Sequence, residues 1–491
     1  MKGWRLAFLA ILAVPALITG CARMGPDYER PQMDMQTPST YRNAPEEKSA
    51  PTIDDRWWEA FGDPELNKIV ERVLSRNWDI RKAAARVLEL RAGWTAARAD
   101  RFPSLNVSGG AQLTSQASTT VSQTSLTSRN TEVRLKQTET YSLALAASFE
   151  LDLWGRLARL DEAARAELLA AEESRQTVRQ TVVAETISKY LEMESLERRL
   201  AIAQASVDRY RRSYEFLDGR YRRGLSDILA VRQSHRALAQ AESQLPGLRQ
   251  QLGIAQHQLS ILMGDYPKSA AERSQPEDYY RRMDPVPPGL PGDLLLRRPD
   301  VRAAEASLAA ANARIGAAKA ARFPTISLTA SYGFRSTELG ELFMPQSELW
   351  NLASNIVGPI FNAGKLSANQ RRAEAVYQQT LAQYAKTVLQ AFSEVETALL
   401  TRKEQLERRE RVLVFLEEAR AAQAVAENRY LRGLVGYLDV LEAQQARYSA
   451  EESLVLVDLA IMSNRVALYR ALGGGWGSDP SVDDPKNKRA E

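Results

Sequence analysis

The chain has 491 residues, and its 65 Lys and Arg nearly balance 61 Asp and Glu, so charge gives no argument for a nucleic-acid partner. Two His and one Cys exclude a His or Cys metal cluster and any disulfide within the chain.

At the amino terminus, Lys2 and Arg5 precede an apolar run from Leu6 to Ile18, closed by Leu17-Ile18-Thr19-Gly20-Cys21. This is the pattern of a secretory signal peptide over residues 1–20, too short to span a bilayer in the mature protein. One reading is ordinary cleavage with an incidental Cys nearby. The other is a bacterial lipoprotein box, in which cleavage before Cys21 frees its thiol for a diacylglycerol and its amine for an acyl chain. A lone Cys directly after Gly20 favours the lipoprotein, and this covalent lipid is the only added group expected. Ala22 rather than Asp follows, which by analogy with other bacterial lipoproteins points to the outer membrane. No later apolar run reaches about 18 residues, so any membrane crossing falls to strands. Residues 21–63 read as a lipid-anchored extended segment, rich in Pro, Gln, Ser and charge up to about Asp55 and without period.

Residues 64–101 read as helix with a break near Asn77, stopping at Arg101-Phe102-Pro103, where Pro biases its predecessor out of the helical region. Residues 103–154 read as a β-hairpin. Leu105, Val107, Gly109, Ala111 and Leu113 alternate with small or polar neighbours, as do Tyr141, Leu143, Leu145, Ala147, Phe149, Leu151 and Leu153 with theirs. Ser115 to Thr140 between them reads as a surface loop, leaving strands of roughly 10 to 13 residues, enough to cross a bilayer when tilted.

Residues 155–264 read as a long helical hairpin, outgoing from Gly155 to about Gly219 and returning from about Asp227 to Gly264. Leu196, Leu200, Ala203, Val207, Tyr210, Tyr214 and Leu217 step by four and three, and Leu238, Ala241, Leu245, Leu248, Leu252, Ala255, Leu259 and Leu262 answer them on the return. That is a heptad seam, kinked but not ended by Pro246. Residues 265–298, with many Pro, read as an equatorial belt. Residues 299–323 follow as a helix and 324–363 as a second β-hairpin, with Ile326, Leu328, Ala330, Tyr332 and Phe334 alternating and a weaker return from Trp350 to Phe361. Residues 364–473 read as a second long helical hairpin and 474–491 as a tail.

The second half repeats the first. Arg220-Tyr221-Arg222-Arg223-Gly224-Leu225 returns as Arg429-Tyr430-Leu431-Arg432-Gly433-Leu434, an offset of 209 (429 − 220), which also carries Gly155 onto Gly364 and Gly264 onto Gly473. Ahead of the β-hairpins the offset is 221 (300 − 79). Gly224 and Gly433 mark the tips of the helical hairpins, where freedom to take positive φ lets one helix stop and the next turn back. The outgoing helix would be roughly 100 Å long, matched by a return helix and a Phe-Pro helix stacked end to end.

On the strands alone, a soluble antiparallel sheet with one wet face reads as well as a membrane sheet, and the lipid anchor favours the membrane. Two strands per half give four per chain, too few to close a barrel, and an open edge in lipid is not tolerated. The chain must oligomerise, to eight strands filled by side chains or to twelve able to hold water.

Met24-Gly25-Pro26-Asp27-Tyr28 with Pro31, Trp57-Trp58, Phe61-Gly62-Asp63-Pro64-Glu65-Leu66, Leu294-Leu295-Leu296-Arg297-Arg298-Pro299-Asp300-Val301-Arg302-Ala303-Ala304-Glu305 and Gly358-Pro359-Ile360-Phe361-Asn362-Ala363-Gly364 resemble the TolC-like outer membrane factors, specifically their lipoprotein efflux branch (NodT-type). The resemblance runs from Gly25 to Gly473. It implies an α+β membrane protein: a homotrimer whose 12-stranded β-barrel continues into an α-helical coiled-coil tunnel across the periplasm. It also implies a periplasmic adaptor, an inner-membrane transporter of the RND type and outer membrane lipid as partners, with the tips at Gly224, Leu225, Gly433 and Leu434 facing the adaptor. In the family, acids matching Asp439 and Glu442 form rings that constrict the periplasmic mouth, an apolar residue matching Leu438 narrows it, and a Tyr matching Tyr430 joins the lock. Val435 stands where some members place a gating Arg. Spacing alone says only that Asp439 and Glu442 share a helix face, which ordinary first-turn acids also do.

No catalytic set is visible. Gly358 to Lys365 has the wrong spacing for a phosphate loop and Leu366 in place of its Ser or Thr, and His235 and His257 lie about 33 Å apart along one helix. The expected function is a passive exit duct for small molecules and drugs, without enzymatic activity or metal, in an efflux system of the outer membrane. A type I secretion duct for polypeptides would share this body. A periplasm-spanning structural tether without an open lumen is the alternative of another kind.

Overall fold

A computed structural model describes residues 23–31, 40–43, 56–125, 128–267, 286 and 297–474. Cys21, most of the equatorial segment and the tail beyond Gly474 lie outside them. The chain divides into two units, one of Met1–Pro31, Leu88–Leu169 and Glu305–Ala382, the other of Gln32–Val87, Ala170–Ala304 and Gln383–Glu491.

Helix α1 (Pro64–Arg76) starts on Asp63, whose carboxylate accepts from the backbone N–H of Glu65 at 2.7 Å and of Leu66 at 3.3 Å. It stops at Asn77, whose Oδ1 in turn caps α2 (Trp78–Ala99) by accepting from the N–H of Asp79 at 2.9 Å and Ile80 at 3.1 Å. The break is thus one residue ending one helix and beginning the next. The outgoing helix α3 (Arg156–Arg222) and its return α4 (Ile228–Leu262) form the first helical hairpin, and α4 runs on through Pro246. After α5 (Pro299–Ala320), α6 (Lys365–Leu431) and α7 (Tyr437–Ala471) form the second. Every residue of the heptad seam in the first hairpin is buried or half-buried. Val73 of α1, Val182 of α3 and Leu262 of α4 close one core cluster, at about 1.5–3 kcal/mol per buried aliphatic side chain.

The duplication persists in the contacts. Asn77 Nδ2 donates to the carbonyl of Leu262 at 2.9 Å, and Arg298, its repeat partner, donates from Nη1 to the carbonyl of Ala471 at 3.0 Å. Arg101 bonds Asp161 at 2.7 Å, and the repeat pair Arg322 and Gln370 bonds at 2.8 Å.

The strands β1 (Ser104–Ser125), β2 (Ser128–Leu151), β3 (Thr325–Ser336) and β4 (Glu348–Val357) form one antiparallel sheet in the order β1-β2-β3-β4. The first hairpin corrects the expected surface loop, because the ladder continues from Ser115 opposite Gln137 to Gln123 opposite Arg129. Ser and Thr, whose β-branching or small size suits a strand, can pair along a ladder without apolar alternation, and alternation was the signal read for strands. β2 ends at Leu151, short of Leu153. β4 ends at Val357 rather than Phe361, since Gly358-Pro359 follows and Pro has no N–H for the ladder.

Register assigns the faces. Val107, Leu145, Tyr332 and Trp350 make one row across all four strands, and Asn106, Ala146, Ser331 and Asn351 make a row on the opposite face. The apolar face is open, with Trp350 75% and Val107 74% exposed. A soluble sheet with one wet face would bury that side.

Candidate functional site

Both hairpin tips close the same way. Gly224 takes φ of 70° and Gly433 of 72°. The N–H of Leu225 reaches the carbonyl of Arg220 at 2.9 Å and that of Gly224 reaches Tyr221 at 2.8 Å, while Leu434 to Arg429 at 3.0 Å and Gly433 to Tyr430 at 2.9 Å repeat the pattern. These paired bonds satisfy the last carbonyls of a helix only when the glycine position is left-handed. Leu225 and Leu434 are exposed beside them.

At the start of α7, Tyr437, Val440, Leu441, Gln444 and Tyr448 are buried, while Leu438, Asp439 and Glu442 are exposed on the other side. Neither carboxylate has a hydrogen bond or ion pair with the described residues, so both charges face outward. Tyr430 sits differently. It is half-buried, its ring edge-on to Tyr437 at 5.2 Å and 5.9 Å from the Arg220 guanidinium, which also lies 5.8 Å from Phe216. Within one chain, Tyr430 therefore ties the second tip to the first, through Tyr437 and Arg220 rather than through the two acids. The first hairpin has Leu229, Ala230 and Gln233 at the positions matching Leu438, Asp439 and Glu442, so the acids belong to the second hairpin alone. Val435 is half-buried.

Further along the hairpins from the tips the helices are held by ion pairs. Glu451 meets Arg447 at 2.8 Å, Arg209 at 3.5 Å and Arg420 at 3.8 Å, which joins α3, α6 and α7. Tyr448 donates to Gln244 at 2.7 Å. Burial pushes the Tyr437 hydroxyl from 10.0 up to about 12, and raises Tyr210 and Tyr448 as well. His235 and His257 are both exposed, and among the described residues no group of His, Cys, Asp or Glu could hold a metal.

One contact escaped the sequence reading. Residues 23–31 are extended, but they are not a free tether: the N–H of Met24 donates to the carbonyl of Trp154 at 3.1 Å. Arg159, with its side chain 1% exposed, donates to the carbonyls of Met24 at 3.1 Å and Gly25 at 3.2 Å, and pairs with Asp27 and Glu162 at 2.9 Å each. Asn312 bonds the carbonyl of Pro26 at 2.9 Å, and Arg30 grips both oxygens of Glu305 at 2.7 Å. The only signal was a pair of glycines, Gly25 and Gly316, far apart in sequence.

The chain matches the outer membrane efflux protein family over residues 69–265 and 290–474. It is similar to the cation efflux system protein CusC of Escherichia coli O6:H1, at 33% identity over 467 residues, covering 94% of this chain and 97% of that protein. It is also similar to the probable outer membrane lipoprotein SilC of Salmonella typhimurium, at 31% identity, covering 96% and 99%. Among solved structures, the outer-membrane channel OprN fits with a TM-score of 0.83 at 31% identity, over 93% of this chain and 100% of that one. The chain belongs to the outer membrane efflux protein family. It is an outer membrane channel component of an efflux system, and its fold class is the one the resemblance implies: long, duplicated helical hairpins with a four-stranded sheet.

Proposed function

We propose that three copies close a twelve-stranded barrel in the outer membrane, that their helical hairpins continue it into the periplasm, and that the assembly is a passive exit duct for small molecules, drugs included. The sheet carries this reading. It has four strands, one exposed apolar face and two open edges, and lipid tolerates no unpaired edge. The duct makes and breaks no bonds. Transport is driven by an inner-membrane transporter of the RND type, through a periplasmic adaptor that meets the tips at Gly224, Leu225, Gly433 and Leu434.

At the mouth, threefold symmetry turns the outward Asp439 and Glu442 into two rings of three carboxylates, with Leu438 as an apolar collar and Tyr430 bracing the tip. Rings of acids favour cations. A diacylglycerol and an acyl chain on Cys21 hold the amino terminus in the membrane more firmly than one chain could. The mass of the detergent-solubilised particle, corrected for detergent, tests the assembly: three chains are expected, and a stable monomer with intact β content contradicts it. Deleting the gene should abolish tolerance to small toxic solutes; loss of a secreted polypeptide instead would assign a type I secretion duct.

A further inference from the structure

We infer the seam between copies: β4 of one copy pairs antiparallel with β1 of the next in the register Val357 to Ser108, and Phe361 after β4 covers Phe102 before the neighbour's β1. This rests on the reading that copies close a barrel, and adds which residues meet.

The internal duplication fixes the register. Moving β1 on by 221 residues and β2 by 209 turns the pair Ser104–Ser148 into Thr325–Val357, and Ser108–Ala144 into Thr329–Ala353; both pairs are present. The two β-hairpins are therefore the same unit used twice. They meet within the chain at β2 and β3, where Ser148 pairs with Thr329, Ala147 with Ala330 and Leu143 with Phe334. In a closed ring each hairpin has a hairpin on both sides, so β4 against the next β1 repeats β2 against β3. The same offsets convert those three pairs into Val357–Ser108, Ile356–Gly109 and Leu352–Leu113.

Three observations agree with this seam. Among the described residues β1 and β4 are the two edges of the sheet. The register sets Leu352 opposite Leu113 on the apolar face, whereas a slip of one residue would oppose apolar to polar positions all along the seam. The third lies at the strand ends. Trp154, just beyond β2, stacks on Phe323 at 4.8 Å and donates to the carbonyl of Pro324 at 2.8 Å. Phe102, the repeat of Phe323, has no such cover and is 61% exposed. Ala363 stands in the place of Trp154, and the ring comes two residues earlier as Phe361, 89% exposed.

The test is disulfide trapping of Ser108→Cys with Val357→Cys in the full-length protein in outer membranes, oxidised and run on denaturing gels without reductant. Covalent dimers and trimers should hold more than half of the chains, and neither single variant should give them. Asn106→Cys or Gly110→Cys with Val357→Cys, each one ladder step out of register, should link at least several-fold less. Ser148→Cys with Thr329→Cys, the repeat-related pair, should lose its thiols without forming oligomers, and Leu113→Cys with Leu352→Cys repeats the test if the first pair does not assemble. Stronger linking by a shifted pair, or none by any pair in a particle of three chains, overturns the seam and leaves the barrel reading standing. A particle of one chain withdraws both.

Discussion

Gly25 and Gly316 meet backbone to backbone: a Cβ on Gly25 would lie 2.5 Å from the Cα of Gly316, and one on Gly316 would lie 2.6 Å from the carbonyl oxygen of Met24. This approach lets residues 23–31 lie close enough for Arg159 to hold two of their carbonyls. Gly316→Val should push the segment off, at a cost on the order of 1–3 kcal/mol for the forced overlap. Trypsin should then cut after Arg23 faster than in the unsubstituted protein. Unchanged cutting and an unchanged melting temperature would show that the segment is not held there.

At the tips, Gly224→Val and Gly433→Val each force a β-branched residue into a left-handed turn, costing about 1–2 kcal/mol. Efflux should fall while the particle keeps its mass. If both variants retain full efflux and full adaptor crosslinking, the tips are not the adaptor's site.

Tyr437 links the second tip to pH. Its hydroxyl, raised by burial to about 12, is neutral in both folded and unfolded chains below pH 10.0, so its stabilising contribution is complete there. Between pH 10.0 and about 12 the unfolded chain releases its proton first, and stability falls as pH rises through that window. Thermal unfolding followed across this range should show a shallower decline for Tyr437→Phe. An identical slope would mean that Tyr437 is not buried in the assembled protein.

The amino terminus predicts a mass. Intact mass spectrometry of the mature protein should find a chain beginning at Cys21 and carrying a diacylglycerol and one further acyl chain. A free Cys21, or cleavage elsewhere, would remove the anchor.

The helical skeleton was legible because its signals are local. A glycine in a left-handed turn and a heptad seam each need only neighbours in sequence, and Gly224, Gly433 and the Leu196 to Leu217 seam read true. Spacing put Asp439 and Glu442 on one helix face, and that face and Leu438 are exposed; their part in a gate came from the family resemblance alone. The polar reach of the first β-hairpin was hidden, since a run of Ser, Thr and Gln pairs in a ladder without any apolar alternation to announce it. Asn77 and Arg298 do the same work with different chemistry, which sequence comparison of the halves cannot reveal. The packing of Tyr430 against Arg220 needs two hairpins to come together, and no local pattern announces it.

Conduction tests the central claim most directly. Purified protein in planar bilayers should give discrete current steps with a reversal potential favouring cations in a salt gradient. Asp439→Asn with Glu442→Gln should move that potential toward zero, and Leu438→Ser should enlarge the steps. A correctly assembled particle that carries no current, in both the unsubstituted protein and Leu438→Ser, would contradict an exit duct and leave a structural tether in its place.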